Sequence, residues 1–496
     1  MKPKDHSALI LDDAAISHVE FARLKNHVVA ALQRDGLHQG DVIAICAATS
    51  LAYVVTFMAC VQCGVVVAPL APSSTAEHLQ AMLDNAQARL LFTDAETLDR
   101  LPPAQANLPR IALDDSGVGR AWHDWIETRV APRAVTPQAD WPFNLIYSSG
   151  TTGLPKGILQ PFGMRWTQIE RARDNGYGPD TVCLNSTPLY SNTTLVSLIP
   201  ALTLGGTVIL MKKFDARAYL ELAQRHRVTH TMLVPVQYQR LMDYPEFDRY
   251  DLSHFKAKFC TSAPFSAELK RDILRRWPGG LTEYYGMTEG GGRTELHCHL
   301  HPDKLHTVGR PAQGHDIRLI DEQGREVGPG ESGEVVGSSG AMMKGYHRLP
   351  DKTREVEWFD TQGKRFIRTG DVGRFDADGF LMLGDRKKDM IISGGFNVYP
   401  VDLEAVIRQH PQVAECAVVG VKSRLWGETP VAYVVLRESA KAPGQQEALK
   451  MWVNERVGKV QRLAAVVELD ALPRSEIGKV LKRELRERHQ IGRAHV

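Results

Sequence analysis

Residues 42–70, VIAICAATSLAYVVTFMACVQCGVVVAPL, carry no charged side chain, and they decide the fold class. The first six residues favour a short buried strand, Ser50 is a good helix N-cap, and the apolar helix that follows ends at Gly64. A helix of about 13 residues is about 20 Å long, whereas a membrane span must cross about 30 Å. Because a second apolar strand follows at 65–70, the stretch predicts a strand–helix–strand unit inside a protein core.

The same alternation returns in residues 181–235. Residues 194–204 are typical of a buried helix, and the strand TVILM follows at 207–211. An amphipathic helix at 218–228 and an apolar strand at 229–235 complete the pattern. Two such regions predict an α/β fold with two doubly wound subdomains.

The sequence pattern changes after Gly309, where short predicted strands alternate with turns rich in Gly and Asp. We expect a large N-terminal domain over 1–384, with a β-rich subdomain at about 309–384. The remaining residues, 390–490, mix helix and strand and predict a separate small α+β C-terminal domain. The last six residues, 491–496, resemble a translated sequencing adapter, and our hypothesis is that they are an artefact without function.

Composition excludes several classes of protein. The 496 residues include 60 Lys and Arg against 58 Asp and Glu, so the net charge of +2 provides no global attraction for nucleic acid or anionic membranes. The N-terminus lacks the apolar core of a signal peptide, and an odd count of seven cysteines fits a reducing compartment. We therefore expect a cytoplasmic protein with no membrane span and no nucleic-acid partner.

Residues 147–157 read YSSGTTGLPKG and directly follow the apolar strand FNLI. The glycines allow the backbone N–H groups to approach an anion, the hydroxyl groups add donors, and Lys156 adds a positive charge. The spacing differs from that of a Walker A loop. The composition therefore predicts a loop that binds phosphate.

This loop resembles the signature loop of the adenylate-forming superfamily, which includes acyl- and aryl-CoA ligases, luciferases and adenylation domains of peptide synthetases. Further motifs similar to that superfamily follow in the same order: YYGMTE (284–289), FIRTGD (366–371), DRKKDMIISGGFNVYPVDLE (385–404) and LPRSEIGKVLKREL (472–485). The resemblance covers almost the whole chain.

The resemblance implies binding of ATP, Mg²⁺, a small carboxylic acid and coenzyme A. It assigns adenine stacking to Tyr285, contact with the α-phosphate to Thr288, and Mg²⁺ binding to Glu289. The full set of implied nucleotide contacts is Ser148, Ser149, Gly150, Thr151, Thr152, Gly153, Lys156, Ser262, Ala263, Pro264, Tyr285, Gly286, Asp371 and Arg386. Asp371 and Arg386 are the implied ribose contacts.

The remaining implied roles concern catalysis and the two other substrates. Lys479 matches the catalytic lysine that orients the acid and stabilises charge during adenylation. The resemblance also implies that residues 385–389 are a hinge and that the small domain is mobile, with Lys388 matching the residue about which it rotates between the two half-reactions. The implied thiol channel consists of Ser393, Gly394 and Gly395. The implied acid pocket includes Tyr190, Asn192, Gly290 and Gly291, where we expect the glycines to leave room for aryl, alicyclic or medium- to long-chain acids.

Two further features have simpler explanations. His297, His299 and His301 would share one face of a strand, but a polar strand or loop is favoured over a metal site. Arg293 could pair with a second substrate carboxylate, although we expect it at the surface.

These features favour an ATP-dependent carboxylate–CoA ligase. Three alternatives stay open: an enzyme that loads a carrier protein, a luciferase-like oxygenase, and a non-catalytic nucleotide-binding homologue. A homodimer is also left open.

Overall fold

The computed structural model describes residues 6–101, 103, 108–114, 116–128, 130–148, 155–386, 389–393, 396–423, 426–437, 444–475 and 478–493. Within these ranges the chain divides into two compact units. The first contains Met1–Ile317 and Val336–Arg368, and the second contains Arg318–Val335 and Thr369–Val496. The domain boundary expected at 384/385 stays a prediction.

The strand–helix–strand unit predicted for residues 42–70 is confirmed. Strand β3 (Val42–Cys46) and strand β4 (Val66–Pro69) are parallel neighbours, joined by helix α2 (Leu51–Gln62). The Ser50 hydroxyl accepts a hydrogen bond from the Tyr53 N–H and caps the helix as expected. All five residues of β3 are buried, since the strand lies in the interior of its sheet.

The first unit holds two mixed sheets. The eight-stranded sheet has the order β19-β9-β8-β4-β3-β5-β6-β7, in which β9 is antiparallel to both β8 and β19. Its further strands are β5 (Leu90–Thr93), β6 (Arg110–Ala112), β7 (Arg120–Ala121), β8 (Pro142–Ser148), β9 (Lys156–Pro161) and β19 (Gly345–Tyr346).

The nine-stranded sheet has the order β16-β15-β14-β13-β12-β10-β11-β1-β2. Its central strands are parallel, whereas β2, β15 and β16 are antiparallel to their neighbours. The strands are β1 (Ser7–Leu11), β2 (Ala14–Ser17), β10 (Val182–Asn185), β11 (Thr207–Leu210), β12 (His230–Leu233), β13 (Ala257–Cys260), β14 (Gly280–Met287), β15 (Gly290–His297) and β16 (Arg310–Pro311). This sheet contains the second predicted region of alternating helix and strand.

Two five-stranded sheets follow in the chain. The first consists of β17 (His315–Ile320), β18 (Gly333–Ser339), β20 (Glu357–Phe359), β21 (Arg365–Phe375) and β22 (Leu381–Arg386). The second, in the second unit, consists of β23 (Ile391–Ser393), β24 (Phe396–Val398), β25 (Val413–Ser423), β26 (Gly427–Leu436) and β27 (Ala465–Glu468). The first sheet corresponds to the β-rich sequence predicted after Gly309, and the second belongs to the small α+β domain.

Helices accompany these sheets. Besides α2 they are α1 (His18–Arg34), α3 (Ala76–Ala86), α4 (Trp122–Ile126), α5 (Phe162–Asp174), α6 (Asn192–Thr203), α7 (Ala216–Arg225), α8 (Pro235–Met242), α9 (Ala267–Arg276), α10 (Pro350–Glu355), α11 (Pro400–Ile407), α12 (Gln445–Asn454) and α13 (Lys482–Arg493). Among the described residues, no helix combines the length and the apolar composition that a membrane crossing requires. Helix α13 ends at Arg493 and so includes the first three residues of the segment 491–496, whose origin stays a hypothesis.

Candidate active site

The predicted phosphate loop connects the antiparallel strands β8 and β9. Ser148 and Lys156 are register partners at the loop end of this hairpin, and the seven residues 149–155 connect the two strands. Ser149, Gly150, Thr151, Thr152 and Gly153 lie outside the described residues. Lys156 is half-buried at the first position of β9.

Lys156 and Glu289 both contact the side chain of Tyr346. The Lys156 Nζ atom lies 4.9 Å from the centre of the Tyr346 ring, and the Tyr346 hydroxyl donates a 2.8 Å hydrogen bond to Glu289 Oε1. Burial, followed by the negative charge of Glu289, raises the pKa of Tyr346 well above its ordinary value. The phenol therefore remains a hydrogen-bond donor to the carboxylate at neutral pH.

Tyr346 reaches this position because β19 pairs with β9. Its register partner is Ile158, two residues after Lys156, and Met343 donates its backbone N–H to the Glu289 carbonyl at 2.8 Å. Sequence reasoning missed Tyr346, because its role depends on a strand pairing across almost 190 residues of chain. No motif marks it.

The residues Tyr285–Glu289 lie on a second hairpin, formed by β14 and β15. Tyr285 is opposite Thr294 in the antiparallel register, and Thr288 and Glu289 form the turn between the strands. Gly286 is exposed, Tyr285 and Thr288 are half-buried, and Glu289 is 9% exposed. The structure therefore brings Lys156 and Glu289, two of the predicted site residues, to one location through Tyr346.

The glycines that follow Glu289 allow close packing of the chain. Gly290 and Gly291 have φ angles of +82° and +68°, and a Cβ atom on them would lie 2.1 Å from the Ala341 carbonyl oxygen and 2.9 Å from the Gly337 carbonyl oxygen. Our expectation that these glycines leave room is wrong in this respect, since protein atoms fill the space beside them. Their place in the acid pocket stays a prediction.

The loop Ser262–Ala263–Pro264 follows β13. Ser262 has a φ of +82°, which is uncommon for a residue other than glycine, and its hydroxyl lies 2.8 Å from the Thr193 hydroxyl of α6. That contact ties the predicted adenine loop to the helix that begins at Asn192. Tyr190 lies half-buried in the turn before that helix.

Arg293 is not a surface residue, which corrects our expectation. Its side chain is 23% exposed, its guanidinium lies 4.7 Å from the ring centre of Tyr284, and it forms a 3.2 Å ion pair with Glu295. His297 Nδ1 lies 3.1 Å from the Thr282 hydroxyl. Within the described ranges, no three His, Cys, Asp or Glu side chains are grouped so that they could hold a metal ion.

The second unit carries the other predicted residues. Asp371 and Arg386 are register partners on β21 and β22, so the two implied ribose contacts lie directly opposite each other. Lys479 is exposed, and the Ser475 hydroxyl accepts a hydrogen bond from its backbone N–H at 3.2 Å. Ser393 is buried at the end of β23. Lys388, Gly394 and Gly395 lie outside the described residues.

Two models of known protein families match most of this chain. The model of the AMP-binding enzyme family matches residues 1–347, and the model of the AMP-binding enzyme C-terminal domain matches residues 402–479. The chain belongs to the AMP-binding enzyme family. It is therefore an adenylate-forming enzyme with the large N-terminal and small C-terminal domains of that family.

Relatives of this AMP-binding enzyme cover nearly its full length. Feruloyl-CoA synthase from Amycolatopsis sp. is 32% identical, over 96% of this chain and 94% of that protein. A fatty acid–[acyl-carrier-protein] ligase from Streptomyces coeruleorubidus is 31% identical, over 97% of this chain and 93% of that protein. The crystal structure of ATP-bound MatB from Rhodopseudomonas palustris superimposes with a TM-score of 0.86 at 28% identity, covering 99% of this chain and 97% of that one.

The described residues of the first unit suit a magnesium nucleotide. Mg²⁺ is usually bound by one or two carboxylates together with substrate phosphates, and Glu289, in the turn that also contains Thr288, has a carboxylate of this kind. Lys156 carries the kind of positive charge that phosphate groups bind. The donor set therefore fits the cation, whose contribution would be to neutralise phosphate charge.

Proposed function

We propose that this AMP-binding enzyme is an ATP-dependent carboxylate–CoA ligase. The observation that carries the proposal is the linked arrangement of Lys156 on β9, Tyr346 on β19 and Glu289 in the turn between β14 and β15. In our proposal Lys156 is the cation that binds phosphate and Glu289 is the carboxylate that binds Mg²⁺, and the contacts of both side chains with Tyr346 support a site for a magnesium nucleotide.

The first half-reaction joins the acid to AMP. A carboxylate oxygen attacks the α-phosphorus of ATP, and the bond to the pyrophosphate oxygen breaks. Lys156 would bind the departing phosphates, and Thr288 would contact the α-phosphate. Lys479 would stabilise the negative charge that develops on the oxygens around the α-phosphorus. The products are an acyl-adenylate and pyrophosphate.

The second half-reaction transfers the acyl group to sulfur. The thiol of CoA loses its proton and attacks the acyl carbonyl, and the carbon–oxygen bond to AMP breaks. Adenylation makes this step favourable because AMP is a far better leaving group than the oxygen of a free carboxylate. In our proposal, rotation at Lys388 exchanges the Lys479 face of the small domain for a face with the Ser393–Gly395 channel.

The second candidate function differs from the first in the molecule that accepts the acyl group. One relative is named a CoA synthase, whereas another of similar identity is named an acyl-carrier-protein ligase. Pyrophosphate release should be measured over a panel of aromatic, alicyclic and C2–C16 acids, with hydroxylamine present to trap the acyl-adenylate. The active acid should then be tested with CoA and with a carrier protein bearing phosphopantetheine.

Each outcome of this experiment is decisive. Thioester formation with free CoA, and none with the carrier protein, supports the proposal. Transfer to the carrier protein alone supports the second candidate. If MgATP binds but no acid releases pyrophosphate, the chain is a nucleotide-binding homologue without this activity.

A further inference from the structure

Arg165, on helix α5, is a buried charge whose side-chain partners are neutral. It is 1% exposed, and its Nη2 atom donates to the oxygens of Gln160 (2.5 Å), Asn192 (2.9 Å) and Asn144 (3.3 Å). Its Nη1 atom donates to Gln168 Oε1 at 2.9 Å. In the part of the chain that the structure describes, no carboxylate lies within ion-pair distance of Arg165.

Such an arrangement destabilises the folded state, so we expect it to have a function. Moving a charged group out of water is costly, and four amide oxygens compensate for that less completely than a carboxylate would. Burial lowers the pKa of Arg165 to about 9, so the guanidinium is still charged at neutral pH. Unfavourable local features of this kind concentrate at functional sites.

The guanidinium can determine which way a neighbouring amide points. A glutamine side chain can present either its oxygen or its NH₂ group, but a guanidinium only donates hydrogen bonds. Arg165 therefore binds the oxygen of Gln160, and the NH₂ group must point away from it. That group donates a 2.7 Å hydrogen bond to the backbone carbonyl of Thr288.

We propose that Arg165 is a positioning residue for adenylation, acting through Gln160 on the turn that carries Thr288 and Glu289. It fixes the orientation of the Gln160 amide, and the amide holds the Thr288 carbonyl so that the Glu289 carboxylate faces the magnesium nucleotide. This inference rests on the proposed function. It assigns a role to a buried pair of side chains that the sequence motifs do not include.

Two isosteric variants distinguish this positioning role from the alternative that only the buried charge of Arg165 and its neutralisation matter. Gln160→Glu gives Arg165 a carboxylate partner, but it replaces the NH₂ donor to Thr288 with an acceptor. Gln168→Glu gives Arg165 the same kind of partner without touching Thr288, and it serves as the matched control. Both variants pair the buried charge, so both should have a Tm at or above that of the wild type.

The measurements are pyrophosphate release as a function of MgATP and of free Mg²⁺, and MgATP affinity by calorimetry without any acid. We expect Gln160→Glu to lose about 10- to 100-fold in kcat/KM for MgATP, as is typical for partners that orient a metal ligand. It should also bind MgATP more weakly and require more Mg²⁺. Gln168→Glu should behave as the wild type does.

Two results would overturn the inference. The first is a Gln160→Glu enzyme with wild-type MgATP affinity and Mg²⁺ dependence. The second is an equal loss in Gln160→Glu and Gln168→Glu, which would mean that only the charge of the buried cluster matters. A wild-type protein that binds MgATP but releases no pyrophosphate would refute the proposed function alone, since the calorimetric comparison of the two variants still applies.

Discussion

The carboxylate of Glu289 and the phenol of Tyr346 are joined by a 2.8 Å hydrogen bond, although 57 residues separate them in the chain. The bond restricts the rotation of the carboxylate, and the same ring lies against the ammonium group of Lys156. A site of this kind is preorganised, because its charged groups are held in place before the nucleotide arrives.

Glu289→Gln removes the anionic oxygen that we assign to Mg²⁺. Adenylation should fall, and the Mg²⁺ concentration for half-maximal activity should rise, because a neutral amide binds the cation less well. Tyr346→Phe keeps the ring beside Lys156 but removes the hydroxyl, and we expect its rate of adenylation to fall about 10-fold. Pyrophosphate release titrated with Mg²⁺ measures the effects of Glu289→Gln and of Tyr346→Phe. Full activity of Glu289→Gln at unchanged Mg²⁺ dependence would remove this residue from the site.

Lys479→Ala should slow adenylation and spare thioester formation. Loss of a preorganised donor typically reduces the rate by about 10²–10³. Supplied with ready-made acyl-AMP, the variant should transfer the acyl group to CoA at nearly the wild-type rate. Lys388→Pro should slow thioester formation more than adenylation, because a fixed φ hinders rotation at the hinge. Stopped-flow assays of the separate half-reactions decide this, and equal slowing of both steps by Lys479→Ala would contradict the two-pose mechanism.

Gly395→Leu tests the assignment of the thiol channel. A branched side chain there should obstruct the pantetheine arm, so thioester formation should fall while single-turnover release of pyrophosphate persists. Gly458→Leu is a control in the same unit, because a Cβ atom there meets nothing closer than 3.4 Å. If Gly395→Leu slows both half-reactions equally while Gly458→Leu slows neither, Gly395 is not part of a thiol channel.

His230 should make the stability of the first unit depend on pH. It is 1% exposed, and burial lowers its pKa to about 4. The folded state therefore binds fewer protons than the unfolded state between about pH 4 and 6.5, and the free energy of unfolding falls as the pH falls through this window.

Through this window the free energy of unfolding should fall by about 3 kcal/mol, and His230→Gln should abolish this decrease. Urea unfolding at several pH values, with the exposed His38→Gln as control, measures the difference in slope. Parallel pH profiles for the wild type and His230→Gln would show that the histidine contributes nothing.

Local pattern predicted much of the fold. The uncharged segment at 42–70 folds as expected because its apolar runs, its N-cap at Ser50 and its terminating Gly64 all favour the same structure. Element ends moved by a few residues, as in the helix predicted at 218–228, which the structure places at Ala216–Arg225.

The site was predictable only where its chemistry lies in contiguous motifs. Lys156 and Glu289 stand in such motifs, whereas the contacts of Tyr346 and Arg165 arise from strand pairing and helix packing between separate segments of the chain. Arg293 was misplaced because a charged residue in a polar stretch suggests the surface, while its stem and guanidinium pack on Tyr284. Gly290 and Gly291 were misinterpreted because the neighbouring strands that fill their space are distant in sequence.

The most direct test of the central claim follows the oxygen atoms of the acid. The carboxylic acid identified by the panel is supplied with both oxygens labelled as ¹⁸O, together with MgATP and CoA, and AMP is analysed by mass spectrometry. Attack by the carboxylate on the α-phosphorus predicts one ¹⁸O atom in AMP for each thioester formed. Thioester formation with unlabelled AMP would contradict an acyl-adenylate intermediate.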